Sequence, residues 1–178
     1  MAERIIITRG DPALEKKCRP VVKFDKKLHT LIDDMKETLL ISNGVGLAAP
    51  QVGILRRVVV VMDVMEEGNE HILELVNPEI VSQEGEQTDF EGCLSVPGQY
   101  GIVTRPNVVT VRAQDRDGNW FEHTGEEIVA RCFCHELEHL DGHLFVEHTD
   151  RLYTPEEMEE YRAAQERKGG KAKPEGGK

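Results

Sequence analysis

The stretch Arg131-Cys132-Phe133-Cys134-His135-Glu136-Leu137-Glu138-His139-Leu140-Asp141-Gly142 contains His-Glu-x-x-His, and no other part of the chain restricts the fold so tightly. On a helix, residues four apart share one face, so His135 and His139 can offer imidazole nitrogens to a single divalent metal. Glu136 then stands beside the metal, where it can serve as the general base of a metal-assisted hydrolysis. Thr124-Gly125-Glu126-Glu127 reads as a capping box that starts this helix, and Gly142 reads as its stop. Ile128 and Cys132 continue the face of the two histidines, which puts an apolar pocket one or two turns from the metal.

The rest of the chain must supply a scaffold for that helix. At 178 residues it is long enough for a single core without disulfide staples. Its net charge of -11 works against a nucleic-acid groove or an anionic membrane as the main partner, though not against a local basic patch near RNA. Met1-Ala2-Glu3-Arg4-Ile5-Ile6-Ile7-Thr8 has too short an apolar run for a signal peptide, and no later segment approaches a membrane span, so a cytoplasmic protein is expected. Cys18, Cys93, Cys132 and Cys134 lack the spacing of a disulfide framework, which leaves thiols available to a metal.

Asp25 is a candidate N-cap for a core helix in which Leu28, Leu31, Ile32, Met35 and Leu39 recur at helical spacing, ending near Ser42-Asn43-Gly44. Gly44-Val45-Gly46-Leu47-Ala48-Ala49-Pro50-Gln51 reads as a turn entering a short strand; without a P-loop lysine or a dinucleotide fingerprint it is not a nucleotide site. Strands are expected over Arg57–Met62, over His71–Val81 with a bend or edge at Asn77-Pro78, and over a hairpin from Asn107 to Phe121 with Asp117-Gly118 at its tip. Thr154-Pro155-Glu156-Glu157 caps a last helix running to about Arg167. These strands precede the metal helix and do not alternate with helices. The expected class is therefore α+β, with antiparallel sheets packed around a central metal-binding helix, an N-terminal core helix and a C-terminal helix. Residues 1–167 form one catalytic domain in this reading, and 168–178 a disordered tail.

A catalytic tetrahedral centre needs a third protein ligand. A metzincin-type protease would have His at 145, where this chain has Phe145; His143 and His148 are out of register, and a gluzincin would need a Glu from the acidic stretch 156–160. The other source is Glu91-Gly92-Cys93-Leu94-Ser95, whose cysteine would complete a Cys-His-His set suited to Zn²⁺, Fe²⁺, Ni²⁺ or Co²⁺.

Taken in order, Gly44–Gln51, Glu91–Ser95 and His135–His139 closely resemble the three motifs of peptide deformylases, and the resemblance extends from Gly10-Asp11-Pro12 to about Asp150. It implies that Cys93, His135 and His139 ligate one divalent metal, Fe²⁺ in the cell and Zn²⁺, Ni²⁺ or Co²⁺ in purified samples. It further implies Glu136 as general base and acid, with Gln51 and the Leu94 N–H as oxyanion donors. Gly46 would pair with the substrate main chain, and Val45, Ile128 and Cys132 would line a pocket for a methionine side chain. The implied substrate is an N-formyl-methionyl peptide, cleaved to formate and a free amine. The chain would work as a monomer, with the C-terminal helix as a contact to the ribosome. A metallopeptidase with the same His-Glu-x-x-His helix is the alternative, separated from this reading by whether Cys93 is needed. Three positions depart from the family pattern. Glu138 replaces Asp on the face away from the metal, Cys134 stands where Gln is common, and Arg131 occupies an often apolar place by the pocket.

Overall fold

In the computed structural model, residues 2–64 and 71–170 are described. Helix α1 (Lys26–Ser42) starts where expected, with the Asp25 side chain accepting the Leu28 N–H, and it ends at Asn43 in the left-handed conformation. A three-residue strand, β1 (Gly46–Ala48), follows and runs into a 3-10 turn over Ala49–Val52. Strands β2 (Val58–Asp63) and β3 (His71–Glu84) come next, then β4 (Gln87–Cys93) and β5 (Val96–Arg105), and then the hairpin of β6 (Val108–Gln114) and β7 (Trp120–Glu126). Helix α2 (Ile128–Leu140) carries the histidines. A short strand β8 (Leu152–Tyr153) precedes α3 (Pro155–Gly170).

The strands form two antiparallel sheets, a five-stranded one in the order β1-β2-β3-β6-β7 and a three-stranded one in the order β4-β5-β8. The architecture is thus the expected α+β arrangement. The continuous valine run of β2 is explained by what lies on its two faces. Val58 and Val60 pack with Leu28, Ile32 and Met35 of α1, while Val59 and Val61 pack with Val129, Cys132 and Phe133 of α2. A strand sandwiched between two helices has no solvent face on which to alternate polar residues. A third cluster, Val96, Val103, Leu144 and Phe145, lies behind the smaller sheet. Helix α2 touches strands of both sheets, which is why nearly its whole surface is buried.

Three local expectations need correction. The capping box at Thr124 does not form: Thr124 pairs with Thr110 inside β7, and α2 begins three residues later from Glu127, whose φ is 52° and whose side chain makes no cap bond. Ladder bonds to β6 claim the backbone that the box would have used. Asn77-Pro78 is a bend and not an edge. It makes a register shift within β3, a strand flanked on both sides, and the Asn77 side chain bridges the gap to Val21 and Gln114. Helix α3 is capped as expected, with Thr154 and Glu157 exchanging side-chain bonds, but it continues to Gly170, so residues 168–170 of the expected tail are helical. Residues 171–178 lie outside the described residues. No described helix is long and apolar enough to cross a membrane.

Candidate metal centre and active site

The two histidines of α2 face the end of β4, where the Cys93–Val96 pair closes a tight turn into β5 and Leu94 and Ser95 form its tip. That turn brings a sulfur from the smaller sheet to imidazoles packed against the larger one. Ligand atoms of Cys93, His135 and His139 all lie within 4.8 Å of one another, and His139 Nε2 is 3.3 Å from Cys93 Sγ. The Ser95 N–H and the Gln51 side-chain amide also point at the sulfur, at 3.4 and 3.6 Å. Gln51 is itself fixed, its Oε1 accepting from the Ala48 N–H at 2.9 Å and its Nε2 donating to Ser95 Oγ at 3.1 Å.

Behind His135 stands Glu91, and its carboxylate is fully engaged. Oε2 accepts from His135 Nδ1 (2.8 Å) and Arg105 Nη2 (2.7 Å), and Oε1 from Arg105 Nε (3.1 Å) and Arg131 Nη1 (2.9 Å). An ionised carboxylate only accepts, so Nδ1 carries the hydrogen and Nε2 keeps the lone pair for a metal. Burial alone would raise the Glu91 pKa, but the bonds from His135 and Arg105 prevail and hold it well below the ordinary carboxylate range. Burial together with the neighbouring His135 keeps His139 neutral, the state a ligand needs.

For His135 burial also opposes protonation, yet the Cys93, Glu91 and Glu136 charges around it outweigh that and raise its proton affinity. Surroundings that attract a proton attract a divalent cation for the same Coulombic reason. Two buried atoms at the centre have no hydrogen-bond partner among the described residues: Glu136 Oε2 and His139 Nδ1. A thiolate, two imidazoles and an unpartnered carboxylate oxygen beside them therefore fit a catalytic metal, since three protein donors leave a tetrahedral ion one position for water. Burial pushes the Glu136 carboxyl up to about 7, with His135 lowering it and Glu91 raising it. A group poised near neutrality can both take and return a proton.

A cavity of about 420 Å³ opens beside these groups, with Val45, Gly46, Cys93, Ile128, Arg131 and Cys132 in its wall. Cys132 is buried, whereas Ile128 is 48% exposed and sits at the mouth. The residues that would serve a protease are elsewhere. Phe145 stacks on His135 with ring centroids 6.0 Å apart, and His143 and His148 pair with Glu147 and Glu138 at the surface.

Similarity to known proteins separates the deformylase reading from the protease reading. The sequence profile described as polypeptide deformylase matches residues 3–154. The chain belongs to the polypeptide deformylase family. It is 58% identical over 147 residues to the peptide deformylase of Agathobacter rectalis, covering 83% of this chain and 90% of that one. To the peptide deformylase of Caldanaerobacter subterraneus subsp. tengcongensis it is 52% identical over 159 residues, covering 89% and 97%. Among solved structures, the Legionella pneumophila peptide deformylase superposes with a TM-score of 0.78 at 42% identity, covering 97% of this chain and 100% of that one. The Thermotoga maritima peptide deformylase does so with 0.78 at 37%, covering 85% and 100%.

As a deformylase the chain is a metal-dependent hydrolase with a Cys-His-His site. Two things about that site were not visible in the sequence. Arg105, which carries half of the bonds to Glu91, stands in no motif; it is the buried last residue of β5. Glu138, on the face of α2 away from the metal, accepts from Arg105 Nη1 at 2.7 Å and from His148, tying the buried charges to the surface. Cys134 is a buried thiol that burial pushes up to about 11, which opposes the thiolate that oxidation needs.

Proposed function

We propose how this chain carries out the activity of its family, the removal of the N-formyl group from newly made polypeptides. Cys93, His135 and His139 would hold one divalent ion, Fe²⁺ in the cell and Zn²⁺, Ni²⁺ or Co²⁺ in purified samples, which supplies the Lewis acidity for hydrolysis. Glu136 accepts the proton of the attacking water and returns it to the departing amine, so that water and the formamide become formate and a free amino terminus. Its unpartnered Oε2 and its pKa near 7 support this double role. The developing oxyanion is met by the Gln51 amide and the Leu94 N–H, each worth about 3 kcal/mol in the transition state. Gln51 is anchored at its other end, and Leu94 N–H donates to no backbone acceptor among the described residues.

Substrate main chain adds to β1. That strand is the edge of the five-stranded sheet and faces the cavity at Gly46, so it offers an unfilled row of backbone groups. The first side chain enters the cavity past Val45 and Ile128 toward Cys132. A methionine is long and unbranched enough to reach it.

We further read residues 1–167 as one catalytic unit that works as a monomer in the cytoplasm, with α3 as a contact to the ribosome that produces the substrate. The ligands come from elements of both sheets' layers, which supports the single unit. The single observation that carries the whole reading is the meeting of a β4 thiol with two α2 imidazoles next to an unpartnered glutamate. Formate release from a formyl-methionyl peptide tests it. The native chain should release formate, the unformylated peptide should yield none, and Glu136→Gln should slow release by about 10²-fold to 10⁴-fold. Undiminished release by Glu136→Gln would end this mechanism.

A further inference from the structure

The cavity wall contains polar groups that a purely apolar side chain does not use, and Arg131 is one of them. Arg131 lies one turn before His135 on α2, is only 7% exposed, and lines the cavity together with Ile128 and Cys132. Its guanidinium has five N–H donors. One on Nη1 goes to Glu91 Oε1 at 2.9 Å and one on Nη2 to the Gln87 carbonyl at 3.4 Å; the others make no hydrogen bond among the described residues. A nearly buried guanidinium with spare donors takes acceptors from whatever fills the adjoining space, because leaving those donors unpaired when water is displaced is costly.

We propose that Arg131 is a specificity-determining residue, giving the side-chain cavity a cationic donor wall. It favours a first substrate residue that carries a hydrogen-bond acceptor at its far end over a wholly aliphatic one of equal length. A thioether sulfur is a weak acceptor and gains little; a sulfoxide oxygen is a strong one and gains most. The ion pair with Glu91 holds the guanidinium in place while its remaining edge meets the substrate. This inference rests on the deformylase reading of the cavity given above.

The test uses three formyl peptides that differ only in the first residue: methionine, methionine sulfoxide and norleucine, the last replacing sulfur by a methylene. The readout is the ratio of kcat/KM for the sulfoxide to that for norleucine, within each variant of the metal-loaded enzyme. Any general loss of activity cancels in this ratio. Arg131→Leu should lower the ratio at least tenfold relative to the native chain, chiefly through KM for the sulfoxide. Arg131→Lys, which keeps the charge without the fork, should fall between. It supplies the same readout should Arg131→Leu not fold. A ratio unchanged in the folded variants overturns the proposal while leaving the deformylase reading intact. Failure of the native enzyme to release formate from any of the three peptides would instead strike the reading on which the proposal rests.

Discussion

His135 Nδ1 lies 2.8 Å from Glu91 Oε2 in a pair shut off from solvent, and that contact fixes which nitrogen of the imidazole is available to the metal. Glu91→Gln keeps the shape but removes the charge that two arginines and the imidazole share. Competition with a chelator should show a metal affinity about 10-fold to 100-fold weaker. Because Arg105 and Arg131 would then face a neutral amide in the interior, denaturant unfolding should also show a loss of about 3–5 kcal/mol. A chelator titration that overlays the native one would mean that His135 is oriented by packing alone.

Gly46 lies close against Cys132 and Glu136. A Cβ on Gly46 would stand 2.8 Å from both Cγ and Oε1 of Glu136 and would collide with the Cys132 sulfur as well. Gly46→Ala must therefore push β1 or Glu136 aside, at a cost of about 1–3 kcal/mol seen in thermal unfolding. Formate release should drop at least about tenfold through displacement of Glu136, the proposed general base. Adding Cys132→Ala relieves only the sulfur contact. It should recover part of the stability and little of the activity, and full recovery of both would show that Glu136 was never displaced.

How far the sequence discloses this arrangement depends on the range of each interaction. The Asp25 cap, the Thr154–Glu157 box and the four-residue spacing of His135 and His139 all lie within one helical turn, and each is present in the fold. The box at Thr124 has the same local pattern but loses to β6, a competitor that no window around Thr124 contains. Pro78 reads equally as an edge or a bend until the strands on either side of β3 are known. The charge network is further out of reach. Glu91 meets Arg105 14 residues away, Arg131 40 away and His135 44 away, and no periodicity encodes such pairings. For Glu138 the helical wheel gives the direction, away from the metal, but not that Arg105 waits there.

Arg116 joins the hairpin tip to β3 and α1, pairing with Glu74 and Asp33. Burial raises the Glu74 pKa, but bonds from Arg116 and Lys36 outweigh it, so its folded value lies below the ordinary 4.5. A carboxyl with a depressed folded pKa stabilises fully above its unfolded value and loses that contribution as pH falls through the folded one. The unfolding free energy should therefore decline below pH about 4.5, and Arg116→Met should make that decline shallower while costing about 1 kcal/mol at pH 7. Denaturant titrations of both proteins from pH 6 to pH 3 measure the slopes. Parallel slopes would assign the acid sensitivity to other carboxylates.

Phe90 connects α3 to the cavity, since its ring meets Tyr161 edge-on at 5.4 Å and Tyr153 at 5.2 Å while also lining the cavity proposed to take the substrate. Tyr161 and Tyr153 are themselves 5.8 Å apart, which closes a three-ring cluster between α3 and the smaller sheet. Tyr161→Ala removes two of those contacts, and the lost edge-to-face terms amount to about 1–3 kcal/mol. Phe90 then gains room to rotate away from the cavity, whereas Cys93, His135 and Glu136 keep their own supports on β4 and α2. Steady-state kinetics on a formyl-methionyl peptide should accordingly show KM rising about two- to fivefold at constant kcat, the pattern of a weakened binding wall. A fall in kcat with KM unchanged would indicate that α3 acts on the metal centre itself and that Phe90 is not the link.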